Sequence, residues 1–258
     1  MCVSAQAQYV TAGESDRIGV MTSASEAGTT AGSQTLSRGL RALELLAEAE
    51  SPMSIADLAA GLEVHRSNAY RILRTLEQHR FVARDEAGLI RLGPKLTVLA
   101  RGVAPALHTA AMPVITELAY ELGMTTFVTV LDADEVVTLV TAEPSNVAAT
   151  IARNPGVRHP LHRGAPGHAI ESSLTRAERK AYLGDPEMSR AGSEARRKGY
   201  ALSRAEVIDD VTGIAVPLRI AGEPPAAIAV VHFKVPETIG EVVDALQEAA
   251  ERIAQSYR

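Results

Sequence analysis

The stretch Leu62–Gln78, LEVHRSNAYRILRTLEQ, limits what this chain can fold into more than any other. Its apolar residues Ala69, Ile72, Leu73 and Leu76 recur at i, i+3, i+4 and i+7. That is one face of an α-helix, and it does not fit the two-residue period of a strand. At about 100° per residue the opposite face carries Ser67, Arg71, Arg74 and Gln78, with Asn68 and Tyr70 on its flanks. Such a helix packs through its leucines and offers two arginines, a serine and amides to something outside.

Its neighbours supply the packing. In TLSRGLRALELLAEAE, residues Leu36, Leu40, Leu43 and Ala47 are expected to keep one face of a first helix. In SIADLAAGL, Ser54 and Asp57 have the spacing of an N-terminal capping pair. There Ile55, Leu58, Ala59 and Leu62 repeat the buried spacing, and Gly61 stands where a helix end favours glycine. After the opening stretch, FVARDEAGLIRLG places two short apolar runs around a turn, which predicts a β-hairpin from Phe81 to Leu92. Three helices and a hairpin make a winged helix-turn-helix over residues 34–94. Residues 1–33, rich in Ser, Thr, Ala and Gly, are expected to be a disordered tail.

Residues 95–111 read as a linker helix, within a longer helical stretch expected to be interrupted by Pro105 and Pro113. Beyond it, over 112–258, the period changes. TTFVTVLD, EVVTLVTAE, GIAVPLRI and AAIAVVHF are Val- and Ile-rich runs of strand length. GAPGHAIESSL, TRAERKAYL, SRAEVIDDV and the closing TIGEVVDALQEAAERIAQSYR read as helical. The fold class is α+β, with a mainly antiparallel sheet in the second domain.

Charge sharpens the reading of the third helix. The chain carries a formal net charge of −5, yet Val64–Arg101 holds eight Lys/Arg against three acids. Neutralising phosphates supplies much of the affinity of proteins for DNA, and a single helix fits the major groove. The N-terminal residues of such a helix reach base edges. His65, Arg66, Ser67, Asn68, Tyr70, Arg71 and Arg74, with Arg91 on the wing, are therefore the candidate DNA-binding residues. The plainer reading, a solvated basic face on a helical hairpin, does not account for the agreement of capped helix, tight turn and hairpin.

Other chemistries find less support. The one cysteine, Cys2, excludes an internal disulfide and a cysteine-based zinc site. There is no apolar run of membrane-spanning length and no signal-peptide pattern at the N-terminus, so a cytoplasmic protein without membrane contact is expected. Neither G-x-S-x-G, nor H-E-x-x-H, nor a phosphate loop occurs. The pair Asp209–Asp210 reads as a helix-surface feature. His159, His162 and His168, with Arg158 and Arg163, crowd into RHPLHRGAPGH, read as a loop. Their spacing matches no metal motif, which leaves a cationic loop beside an acidic ligand or a packing role. No metal or cofactor is expected. A winged-helix metal sensor and an enzyme remain as alternatives.

Across roughly residues 35–258 the chain resembles the IclR family of bacterial transcriptional regulators. The resemblance rests on SRGLRALELLAEAE, SIADLAAGLEVHRSNAYRILRTLEQHRFV and IRLG, then on HPLHRGAPGHAI, RRKGYALSRAEVIDDVTGIAVPL and AAIAV, in that order and spacing. It implies double-stranded operator DNA as a partner, a homodimer or homotetramer, and a C-terminal GAF-like domain that binds a small, carboxylate-bearing effector. Carried over position by position, the effector pocket would be lined by Ala148, Ile151, Ala165, Pro166, Gly167, Ser203, Val211, Gly213, Ala229 and Val231. Backbone N–H groups of GAPGH, opening a helix, could hold the carboxylate. The sequence departs from the family at Arg80, usually glycine; at His168, usually lysine; and at Gly164, Ser203, Ala229 and Val231, where the family has more polar residues. A more apolar pocket is the expectation.

Overall fold

The computed structural model describes residues 33–145, 147, 151, 153–233 and 238–257. The expected N-terminal tail thus lies almost wholly outside the described residues. The chain divides after Lys95 into two compact units.

In the first unit α1 (Gln34–Glu48), α2 (Ile55–Gly61) and α3 (Arg66–Gln78) precede a hairpin of β1 (Val82–Arg84) and β2 (Ile90–Leu92). The Ser54–Asp57 capping box forms, each partner satisfying the other's free backbone N–H. The core joins Ala42 and Leu46 of α1, Leu58 and Leu62, Ile72 and Leu73 of α3, and Val82 and Ile90 of the wing. At about 1.5–3 kcal/mol per large side chain removed from water, this cluster outweighs what capping contributes.

Three details differ from the sequence reading. The inward stripe of α1 is Gly39, Ala42 and Leu46, whereas Leu36 and Leu40 are 62% and 54% exposed and Ala47 is also outside. Small residues at 39 and 42 let α1 approach its neighbours, and that close approach selects the face. The left-handed residue after α2 is Glu63, not Gly61; a Cβ at Gly61 would meet Leu45 Cδ1 at 3.0 Å. Met53, which the sequence reading left outside the hairpin, forms an isolated bridge to Ile90 of the wing. Arg80 takes the φ of +61° that the family's glycine would adopt freely, and its carbonyl lies where a Cβ on Gly93 would be, at 2.3 Å. A non-glycine residue there costs roughly 1 kcal/mol.

The helix α4 (Lys95–Ala100) buries no residue. The second unit then builds on α5 (Pro105–Leu122), which starts with proline in its first turn and runs through Pro113 without a break. Losing one hydrogen bond to an internal proline costs about 3 kcal/mol. Burial of Leu107, Val114, Ile115 and Leu118 on the same helix exceeds that.

Among the described residues six strands form one antiparallel sheet in the order β5-β4-β3-β8-β7-β6. They are β3 (Thr125–Asp132), β4 (Glu135–Ala142), β5 (Arg158–Pro160), β6 (Ala201–Arg204), β7 (Thr212–Leu218) and β8 (Ala226–His232). Helices α5 and α9 (Ile239–Ser256) cover one face with a core of Val128, Val140, Ile214, Val216, Ile228 and Leu246. Helices α6 (Gly164–Ser173), α7 (Arg176–Leu183) and α8 (Arg190–Lys198) lie on the other side, where Phe127, Leu161, Ile170 and Ala229 are buried. Cover on both faces explains why β3, β7 and β8 read as nearly continuous apolar runs. The segment SRAEVIDDV is not helical. Ser203 and Arg204 end β6, and Ala205–Asp210 form a connecting loop, so Asp209 and Asp210 lie in that loop.

Candidate functional site

The first candidate surface is the outer face of α3. His65 caps the helix, its Nδ1 accepting from the Ser67 backbone N–H at 3.5 Å and lying 3.0 Å from the Ser67 hydroxyl. Arg66, Ser67, Asn68, Tyr70, Arg71, Arg74 and Gln78 are all exposed, while Ala69, Ile72 and Leu73 are buried. The division of faces is the one the spacing predicts. On the wing, Arg84 is tied to Glu77 at 2.5 Å and sits 5.9 Å from the Tyr70 ring centre, bracing hairpin against helix. Arg91 is exposed on β2. Among the described residues no carboxylate holds Arg66, Arg71, Arg74 or Arg91 in an ion pair, so their charge is available to an outside anion.

The second candidate is a cavity of about 30 Å³ on the α6 side of the sheet. Of the carried-over positions Ala165, Pro166, Ser203, Val211, Gly213 and Val231 line it. Ile151 and Ala229 are buried in the surrounding core instead. Gly167 serves close packing, since a Cβ there would lie 2.0 Å from the Leu161 carbonyl oxygen. Ala148 lies outside the described residues. The cavity also takes in His159 of the cationic segment and Gly164, the first residue of GAPGH, together with Phe127, Arg153, Glu206, Val207 and Ile208, which sequence reasoning missed. It is therefore less apolar than expected.

These added residues bring the chemistry. Arg153 is 5% exposed; its Nε donates to the Thr138 hydroxyl at 3.1 Å and its guanidinium lies 5.1 Å from the Phe127 ring centre. His159, also 5% exposed, is held neutral at pH 7. Burial pushes its pKa down to about 4, the Pro160 carbonyl opposes this, and the charge of Arg153 adds to it. Its Nδ1 lies 3.1 Å from the Pro160 carbonyl oxygen, which can only accept, so Nδ1 carries the proton. The buried Nε2 is then an acceptor, with no hydrogen-bond partner among the described residues.

At the start of α6 the first amides are already engaged. Gly164 N–H donates to the Glu206 carboxylate at 2.8 Å, and Ala165 N–H to the Ser203 hydroxyl at 2.9 Å. The same Glu206 oxygen is 2.8 Å from His168 Nε2. The histidine-rich stretch is thus β5, a turn and a helix rather than a loop, with His159 and His168 buried and His162 exposed. Among the described residues no group of three or more His, Cys, Asp or Glu could hold a metal ion, and no helix is long and apolar enough to cross a membrane.

Comparison with known proteins agrees with both halves. The model of the IclR helix-turn-helix domain matches residues 35–86, and that of the bacterial transcriptional regulator IclR C-terminal domain matches residues 104–255. The chain belongs to the IclR family. The HTH-type transcriptional regulator XynR of Escherichia coli is 28% identical over 202 residues, 72% of this chain and 80% of XynR. The probable transcriptional regulator SauR of Cupriavidus necator is 26% identical over 85% of this chain and 95% of its own. Among solved structures, an IclR homologue from Microbacterium hydrocarbonoxydans complexed with 4-hydroxybenzoate superposes with a TM-score of 0.74. It is 26% identical, covering 87% of this chain and 99% of that one. This IclR-family chain is a DNA-binding transcriptional regulator.

The state of His159 has a measurable consequence. The folded protein binds this proton only near pH 4, the unfolded chain near 6.5. Below pH 6.5 the unfolded state holds more protons, so stability present at pH 7 is lost as pH falls toward 4. Between pH 7 and 5 the loss from this group is about 2 kcal/mol. Urea unfolding at the two pH values reads it, and a His159→Gln variant should lose most of the difference.

Proposed function

We propose that this regulator reads operator DNA through the exposed face of α3 and is controlled by a hydroxylated organic acid bound in the cavity of the second unit. Arg66, Ser67, Asn68 and Arg71, near the start of α3, are the candidates for base edges, and Tyr70, Arg74 and Arg91 for the backbone, with His65 shaping the helix start. Two copies on a symmetric operator would give the apolar side chains of Leu36 and Leu40 a partner surface.

The observation that carries the effector reading is the start of α6, whose first amide already holds a carboxylate, that of Glu206, at the edge of a cavity lined by Arg153 and His159. Helix N-terminal amides favour an anion, and a carboxylate is the anion that a guanidinium in the same wall fits best. The Nε2 acceptor of His159 at the same cavity selects a hydrogen donor on the ligand, such as a hydroxyl. The 4-hydroxybenzoate complex of the Microbacterium homologue supports this class. A space of about 30 Å³ holds about one water, so such an acid enters only if the cavity opens.

The test pairs a thermal-shift screen of benzoate, 2-hydroxybenzoate, 4-hydroxybenzoate and aliphatic hydroxy acids with mobility shifts on the DNA flanking the protein's own gene. A ligand that binds the folded state raises its melting temperature. An acid that does so and also changes DNA affinity supports the reading. Hits confined to amines or neutral sugars would refute it.

A further inference from the structure

The loop Ala205–Asp210 between β6 and β7 closes the cavity, contributing Glu206, Val207 and Ile208 to its wall. Among the described residues, its hydrogen bonds to the start of α6 are all made by one residue. The Glu206 carboxylate takes the Gly164 N–H and His168 Nε2, and its carbonyl oxygen accepts from the Arg163 guanidinium. Next to it, Val207 Cγ2 lies 2.8 Å from where a Cβ on residue 164 would be, so only glycine at 164 lets the loop come down this far. Both ends of the loop are in the left-handed region without glycine, Ala205 at φ 52° and Asp210 at φ 59°. Such residues hold only while something else fixes them.

Resting on the effector reading above, we infer that Glu206 is an internal stand-in for the effector's carboxylate. It occupies the anion seat at the start of α6, keeps the loop shut, and must leave before an acid can bind. The seat has a second mark of a ligand site, the buried and unpartnered Nε2 of His159 facing the same cavity. Two carboxylates cannot share one N–H at contact distance, because like charges in a poorly solvated site repel strongly. An incoming acid therefore exchanges with Glu206 rather than joining it. The exchange is open to the loop, since the Glu206 side chain is already 38% exposed whereas His168 stays at 9%. Leaving the seat frees the middle of the loop from α6 while the Ala205 N–H still donates to the Val211 carbonyl at its base, so a bound acid would be reported as loop movement.

Two variants of the full chain test this, Glu206→Ala and the near-isosteric Glu206→Gln, which keeps an acceptor but not the charge. Hydrogen exchange over residues 203–211 in ligand-free protein reads the latch without any effector. Calorimetric titration with 4-hydroxybenzoate and benzoate reads the competition. Exchange in the loop is expected to quicken about tenfold in Glu206→Ala and less in Glu206→Gln, and acid affinity to rise about tenfold, the size of one charge-assisted hydrogen bond. Unchanged exchange in both variants overturns the latch. Faster exchange with acid binding unchanged or weakened overturns the shared seat. Faster exchange with neither acid bound by any form, wild type included, instead removes the effector reading, and the stand-in role with it.

Discussion

Arg71→Ala should weaken operator binding by about 1–3 kcal/mol, roughly 5–150-fold, while leaving the protein as stable as before. The residue is exposed on the outer face of α3, and its loss touches none of Ala69, Ile72 or Leu73, which hold the helix to its unit. The kind of loss identifies the contact. If Arg71 bridges a base, the penalty falls on the cognate sequence, and discrimination against a mutated operator shrinks. Arg91→Ala on the wing should behave differently, weakening all sequences alike and lowering the salt slope by about one. Mobility-shift titrations at two salt concentrations separate the two. Unchanged binding by Arg71→Ala would move the DNA surface off this helix.

Arg153→Met should abolish the response to an acidic effector without impairing ligand-free DNA binding. A charge-assisted hydrogen bond is worth about 1.5–3 kcal/mol, so acid affinity is expected to fall roughly 10–150-fold. Methionine keeps an apolar stem against Phe127 and removes the buried charge together with the hydrogen bond to the Thr138 hydroxyl. Removing one member of a buried hydrogen-bonded pair costs about 1–3 kcal/mol, so the melting temperature should fall by several degrees while the fold is kept. Calorimetry with the acid found by screening reads the affinity, and a wild-type value would take Arg153 out of the binding site.

How much of this was legible in the sequence follows from the kind of contact involved. Local, periodic features came through. The buried and exposed faces of α3, the Ser54–Asp57 box, and the limits of β3 and β8 all depend on residues a few positions apart. Features chosen by a distant partner did not. The inward stripe of α1 is set by which of two apolar faces meets α2 and α3, and periodicity alone favoured Leu36 and Leu40. The loop Ala205–Asp210 has helical composition, but Glu206 reaches 42 residues back to Gly164 and holds it against the start of α6 as a run of bends and a turn.

The cavity shows the same division. Ala165, Ser203, Val211, Gly213 and Val231 were found by family resemblance, which marks positions on strands and helix starts. Arg153 was missed because it lies in the segment before β5, and His159 of β5 was read only as part of a cationic loop beside an acidic ligand or in a packing role. There, charged residues among prolines and glycines read as a surface loop. A usable signal was present. RNPGVRHPLHR places arginine and histidine within strand reach of the apolar EVVTLVTA run, and a cation near such a run is a candidate for burial with a role.

Control by an effector means that the pocket and α3, which lie in different units of the chain, bias one equilibrium between them. Thermodynamic linkage then requires symmetry: if the acid changes operator affinity by a given factor, operator must change acid affinity by the same factor. The direct measurement is titration of the screened acid into the full-length protein, alone and saturated with operator DNA. The two dissociation constants should differ by about 5–150-fold, matching the factor seen in mobility shifts. Equal constants, with both ligands bound, would contradict the account and leave a DNA-binding protein whose pocket does not control it.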